Sequence, residues 1–119
     1  MANNNDKLKD KFIVVLDAGH GGHDSGNRGN GYLEKEIALT ITLEIGKLLS
    51  KNKDIEVIYT RKDDRYVDLL KRAQIANDAN ADLFISIHCD AFTSPKAYGA
   101  GTFVLGLHAN ERNFEVAKK

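Results

Sequence analysis

A chain of 119 residues, 42% apolar and 29% charged, fits one modest globular core and excludes both a disordered tail and a two-domain assembly. Seventeen basic residues cancel seventeen acidic ones, so no global field selects nucleic acid or an anionic membrane as a partner. One cysteine, Cys89, rules out an intrachain disulfide framework, and no apolar run reaches the roughly 18–20 residues that span a bilayer.

Residues 1–11, MANNNDKLKDK, have no apolar signal core and read as a flexible polar arm, leaving 12–119 as the folded part. FIVVLD (12–17) is a continuous apolar run of the kind found in strands buried on both faces of a parallel sheet. The glycine-rich stretch 19–33 is a loop by composition. From Glu34 to Ser50 the period becomes helical, with Ile37, Ile41, Ile45 and Leu48 as a stripe widened by Ala38 and Leu49. IEVIYT (55–60) predicts a second strand. Tyr66, Leu69, Leu70, Ala73 and Ala76 predict one face of a second helix ending near Asn80. ADLFISIH (81–88) predicts a third strand, GTFVLGL (101–107) a fourth, and ERNFEVAKK a final helix capped by Asn110.

Strands alternating with amphipathic helices imply an α/β fold, a mostly parallel twisted sheet flanked by helices. Ligand sites of such sheets gather at the C-terminal edge of the strands. His20 follows the first strand, His88 ends the third, and Glu34 opens the helix returning from the first loop. The topology therefore lets all three side chains meet at one edge.

Two chemistries compete for this edge. Gly19, Gly21, Gly22 and Gly26 after a strand suggest a phosphate cradle, but neither G-x-G-x-x-G leading into a helix nor G-x-x-x-x-G-K-[ST] is present. Imidazoles and a carboxylate also stand where phosphate needs bare amides. Two histidines and a glutamate are ordinary zinc ligands, and hydrolytic zinc keeps three protein ligands and an open position. Against this, a lone histidine at a strand end is usually a surface residue, and Glu at a helix start often serves only the helix dipole. Spacing leaves the choice open.

LDAGHGGHDSG, YLEKE and SIHCDAF, in this order, resemble the zinc-dependent N-acetylmuramoyl-L-alanine amidases of the amidase-3 type, bacterial cell-wall hydrolases. YTRKDDRYVDLLKRAQIAN resembles the family's second strand and helix, so the likeness covers residues 12–118. SIHCDAF with TSPKAYGAGTFVLG is most similar to the branch that separates daughter cells at division. The resemblance implies His20, Glu34 and His88 as ligands of one Zn2+. It implies hydrolysis of the amide between N-acetylmuramic acid and L-alanine in peptidoglycan, and a place in the cell envelope, periplasmic or extracellular. Activator proteins of the division machinery are implied as partners, since division-type relatives are held inactive by an inserted helix.

One departure matters. The family's general acid/base glutamate lies in a segment beyond Lys119, and Glu111 and Glu115 belong to the expected final helix, so no catalytic residue is assigned. General acid–base help is worth about 10²–10⁴ in rate. The expectation is a chain that binds zinc, hydrolyses weakly or not at all, and exposes a sheet edge or an apolar face. A zinc-containing peptidoglycan-binding module without hydrolytic activity is the alternative.

Other residues carry lesser expectations. Asp17 either orients a ligating histidine or serves the turn. His23 is a loop or substrate-facing residue, and Asp24 holds the glycine loop through backbone contacts. Cys89 beside His88 would close a tetrahedral site, but consecutive strand residues point to opposite faces. Arg61 and Arg72 either bind acidic substrate groups or pair with nearby aspartates, pairing being preferred. His108 is expected to be exposed.

Overall fold

The structure, a computed structural model, describes residues 10–105. Its elements are β1 (Phe12–Ala18), β2 (Arg28–Gly29), β3 (Tyr32–Leu33), α1 (Glu34–Leu49), β4 (Ile55–Tyr59), α2 (Leu69–Asp78) and β5 (Leu83–Ile87). The long strands form a parallel sheet in the order β4-β1-β5. β1 is central, and Val14, Val15, Leu16 and Ala18 are buried, as a run apolar on both faces requires. Among the described residues no helix is long and apolar enough to cross a membrane.

Register explains how distant residues meet. Ala18 of β1 lies opposite Ile87 of β5, and the Gly19 N–H donates to the Ile87 carbonyl at 3.0 Å. The chain thus leaves β1 and β5 side by side at the same sheet edge. With the first and third long strands adjacent and the second on the far side, this is the switch point where open α/β sheets open a crevice.

The helices pack differently from the sequence reading. The side of α1 that is buried is Glu34, Ala38, Thr42 and Gly46, one i, i+4 line of mostly small residues. Ile41 and Leu48, expected on the core stripe, are exposed. Small residues let α1 approach closely: a Cβ on Gly46 would overlap the Tyr59 hydroxyl of β4. Thr42 satisfies its buried hydroxyl by donating to the Ala38 carbonyl at 2.6 Å. On α2 the buried residue is Arg72, whereas Leu69 and Leu70, expected inward, are 75% and 80% exposed.

The loop after β1 contains a hairpin the composition concealed. β2 and β3 pair antiparallel around Asn30-Gly31, whose φ values of 51° and 81° suit a type I′ turn. Residues 101–105 form no strand, a correction to the expected fourth one: Phe103, Val104 and Leu105 are exposed and bridge to no described strand. The rest of that segment, the final helix, His108, Glu111, Glu115 and residues 1–9 of the expected arm lie outside the described residues.

Candidate metal centre

Glu34 is the first residue of α1, yet its side chain is buried rather than splayed toward solvent at the helix end. Its Oε2 accepts the Asn27 N–H at 2.9 Å and its Oε1 accepts the Cys89 N–H at 2.9 Å. Two more nitrogens face Oε1: His20 Nε2 at 3.0 Å and His88 Nδ1 at 3.1 Å. The imidazoles meet edge to face with centroids 5.0 Å apart. One ligand atom from each of the three residues lies within 4.8 Å of the others, and among the described residues no other His, Cys, Asp or Glu joins them.

Glycines make room for this cluster. A Cβ on Gly19 would come within 2.6 Å of His88 Nδ1, and one on Gly26 within 2.6 Å of His20 Cδ2 and 2.7 Å of Glu34 Oε2. Gly26 also has φ +65°, in the left-handed region that favours glycine. His20 itself adopts φ 62°, uncommon for a residue with a Cβ.

The donor set fits a divalent cation. His20 Nδ1 lies 2.8 Å from Asp24 Oδ2, an arrangement that places its N–H there and leaves the Nε2 lone pair facing Glu34. The neutral His20 ring thus turns a lone pair toward a carboxylate oxygen, and a cation shared between them removes that repulsion. Metal–ligand bonds of about 2.0–2.1 Å in a tetrahedron separate ligand atoms by about 3.3 Å, close to the 3.0 and 3.1 Å from Glu34 Oε1 to the two rings.

Electrostatics favour the ionised carboxylates. Burial pushes the Glu34 carboxyl up, but the N–H groups of Asn27 and Cys89, with His20 and His88, outweigh it and hold its pKa below the ordinary value. The hydrogen bond from His20 is the main cause that lowers Asp24 against the opposing effect of burial, with the Gly26 N–H assisting. Cys89 is raised by burial and by the negative charges of Glu34 and Asp90, which disfavours a thiolate ligand. Cys89 instead enters the site through its backbone N–H.

The remaining sequence candidates separate clearly. Asp24 holds the loop as expected, through Gly26 N–H to Oδ1 and paired backbone bonds with Gly21, and it also orients His20. Asp17 touches neither histidine; it lies in β1 and accepts from Thr60, Arg72 and Ser86. Arg72 thus pairs with an aspartate, as preferred for both arginines, though with Asp17, while Arg61 donates to four backbone carbonyls rather than to an aspartate carboxylate. Burial, then the charge of Arg72, pushes the pKa of Arg61 down. His23 is exposed and packs against the Tyr66 ring at 4.3 Å. Beside Glu34 opens a groove of about 300 Å³, walled by Arg28 and Tyr32, Ile37, Asp90 and Phe92.

The roles of Arg61 and Arg72 escaped the sequence reading. A signal was present in α2: Arg72 shares a helical face with Ile75, Ala76 and Ala79, the half-buried side of that segment. The Asn-Gly pair at 30–31 was the signal for the hairpin.

Comparison with known proteins identifies the relatives of this chain. A family profile described as N-acetylmuramoyl-L-alanine amidase matches residues 14–119. The N-acetylmuramoyl-L-alanine amidase AmiA of Escherichia coli K12 is 47% identical over 96 residues, 80% of this chain and 33% of that protein. The endolysin of Bacillus phage SPP1 is 41% identical over 92 residues, 77% of this chain and 34% of its own length. The crystal structure of an N-acetylmuramoyl-L-alanine amidase from Clostridium difficile 630 is similar with a TM-score of 0.69 at 37% identity, covering 75% of this chain and 49% of that one. The CwlD amidase from Clostridioides difficile, in complex with the GerS lipoprotein, gives a TM-score of 0.69 at 36% identity, covering 75% of this chain and 53% of that one. The chain spans about a third of these two curated relatives and about half of these two solved structures. With the parallel sheet and the His–Glu–His cluster at its edge in place, the chain belongs to the N-acetylmuramoyl-L-alanine amidase family.

Proposed function

We propose that His20, Glu34 and His88 hold one Zn2+, and that the protein to which this domain belongs hydrolyses the amide between N-acetylmuramic acid and L-alanine in peptidoglycan. The single observation that carries the reading is the convergence of two imidazoles and a buried carboxylate in a cradle cleared by Gly19 and Gly26. When bound, zinc supplies Lewis acidity toward an amide carbonyl and makes water acidic near about pH 7. The chain's own part is placement. Asp24 fixes the tautomer of His20, the N–H groups of Asn27 and Cys89 fix the Glu34 carboxylate, and the adjoining groove gives a path for an extended substrate. The groove offers a guanidinium, a carboxylate and aromatic rings, a mixed lining suited to a sugar–peptide junction. The reaction would take place in the cell envelope, and the CwlD–GerS complex supports association with a protein partner.

A second reading is a zinc module that binds peptidoglycan without cutting it. It is favoured by Asp24: this further carboxylate beside the ligands is engaged by His20 Nδ1 and the Gly26 N–H rather than facing an open position. The test is digestion of purified sacculi by the 119-residue chain and by a chain of the relatives' full length, each zinc-loaded. The amidase reading expects the longer chain to release stem peptides with a new free L-alanine amino group, the 119-residue chain to do so weakly, and His20→Ala to abolish release. Retention on sacculi with no peptide released by either chain would establish the binding module instead.

A further inference from the structure

Two guanidinium groups lie buried beneath the site, Arg61 at 2% and Arg72 at 4% exposure. Arg61 donates from Nε to the Ala18 carbonyl at 3.0 Å, and from Nη2 to the carbonyls of Gly19 at 2.7 Å and Lys35 at 2.9 Å. Its Nη1 ties the group to its own loop through the Asp63 carbonyl at 2.9 Å. Arg72 donates from Nη1 to the Ala18 carbonyl at 2.6 Å and to Asp17 Oδ1 at 2.8 Å, and from Nη2 to the His20 carbonyl at 2.8 Å. Its Nε is anchored on the Val67 carbonyl at 2.8 Å.

Three successive carbonyls, those of Ala18, Gly19 and His20, are therefore each gripped by a guanidinium, the first by both. The Lys35 carbonyl extends the grip to the residue after Glu34. Two buried cations with one buried carboxylate between them, Asp17, which pairs with Arg72 and not with Arg61, make an unfavourable arrangement for stability alone, since buried charge is costly unless well paired. What they hold is the segment where β1 ends and His20 enters the left-handed region with φ 62°. The Cβ that would overlap Arg65 if added to Gly21 would also come within 2.9 Å of Arg61 Nε, so the loop is moulded onto this side chain.

We propose that Arg61 and Arg72 are positioning residues for the metal centre: by fixing the backbone of residues 18–20 they aim the His20 ring, and so set metal affinity. The proposal rests on the reading of His20, Glu34 and His88 as ligands. Arginine is required because its planar fork serves several carbonyls at fixed angles, whereas lysine carries the same charge on one rotatable ammonium.

Lysine variants consequently separate geometry from charge. Zinc affinity is measured by competition with a chromophoric chelator for the 119-residue chain, Arg61→Lys, Arg72→Lys and His20→Ala, with folding of each followed by circular dichroism in EDTA. The parent is expected to bind one equivalent and His20→Ala to lose it. Arg61→Lys and Arg72→Lys are expected to remain folded yet bind about 10–100-fold more weakly, the size of effect seen when a group supporting a metal ligand is lost. A purely structural role would lower the melting temperature and leave the affinity of the folded fraction unmoved. Folded lysine variants with the parent's affinity would overturn the proposal, as would lysine variants that stay unfolded in excess zinc, which would make the arginines residues of the fold. A parent chain that binds no zinc, or a His20→Ala variant that binds it unchanged, would overturn the ligand assignment itself.

Discussion

Glu34 is where the chemistry of the site converges, accepting two backbone N–H groups while facing two imidazoles. Its lowered pKa has a consequence for the metal-free protein. A carboxylate whose folded pKa lies below its unfolded one adds stability above the ordinary carboxylate range, and that stability is lost as pH falls through the folded value. Asp24 acts with the same sign. Metal binding competes with protons for the same ligand atoms, so it weakens as pH falls. Zinc affinity measured from neutral to mildly acidic pH should therefore collapse while the metal-free fold, followed by circular dichroism, persists. Asp24→Asn keeps the size of the side chain but removes the charge that orients His20; chelator competition should show zinc affinity about 10–100-fold weaker. Gly26→Ala places a methyl against His20 and Glu34 at a left-handed φ. Urea unfolding in EDTA should show a loss of at least the roughly 1–2 kcal/mol that the backbone conformation costs. The meeting of His20, Glu34 and His88 and the place of Asp24 in the loop were legible in sequence because short motifs at strand and helix ends carry them. Pairing of the arginines with some aspartate was also anticipated, but Asp17 as the partner of Arg72, and the backbone carbonyls that both arginines grip, were not, because such carbonyls leave no trace in residue identity.

At the scale of elements, the strands of the sheet and both helices followed from hydrophobic period, but the helix faces did not. Ile37, Ile41 and Ile45 make a tidy apolar stripe, yet α1 meets the sheet through Ala38, Thr42 and Gly46. Period reports which residues are apolar, whereas close packing selects those small enough to let the helix axis approach. Gly46→Ala tests this directly. Alanine raises helix propensity by about 1 kcal/mol. Its methyl would nonetheless overlap the Tyr59 ring, and overpacking costs about 1–3 kcal/mol. Equilibrium unfolding should show net destabilisation, and pairing it with Tyr59→Val should recover part of the loss. A gain in stability from Gly46→Ala alone would show that α1 has room to spare. The same logic accounts for residues 101–105: a β-rich apolar run becomes a strand only where a neighbour offers a ladder, and Phe103, Val104 and Leu105 have none among the described strands.

For the molecule as a whole, β1 is covered and its neighbours are not. β4 and β5 are each paired on one side only among the described strands, and Leu83 and Phe84 of β5 are 45% and 41% exposed. Leu69 and Leu70 add to this apolar surface. Such surface promotes association. Sedimentation of the 119-residue chain should show self-association that grows with concentration, reduced by Leu69→Gln with Leu70→Gln while zinc affinity stays constant. The central claim concerns the ion. Crystals grown with zinc and measured across its absorption edge should show one anomalous peak within about 2.0–2.2 Å of nitrogens of His20 and His88 and an oxygen of Glu34. A peak bound through the Cys89 sulfur, or none between the two rings and the carboxylate, would contradict the account.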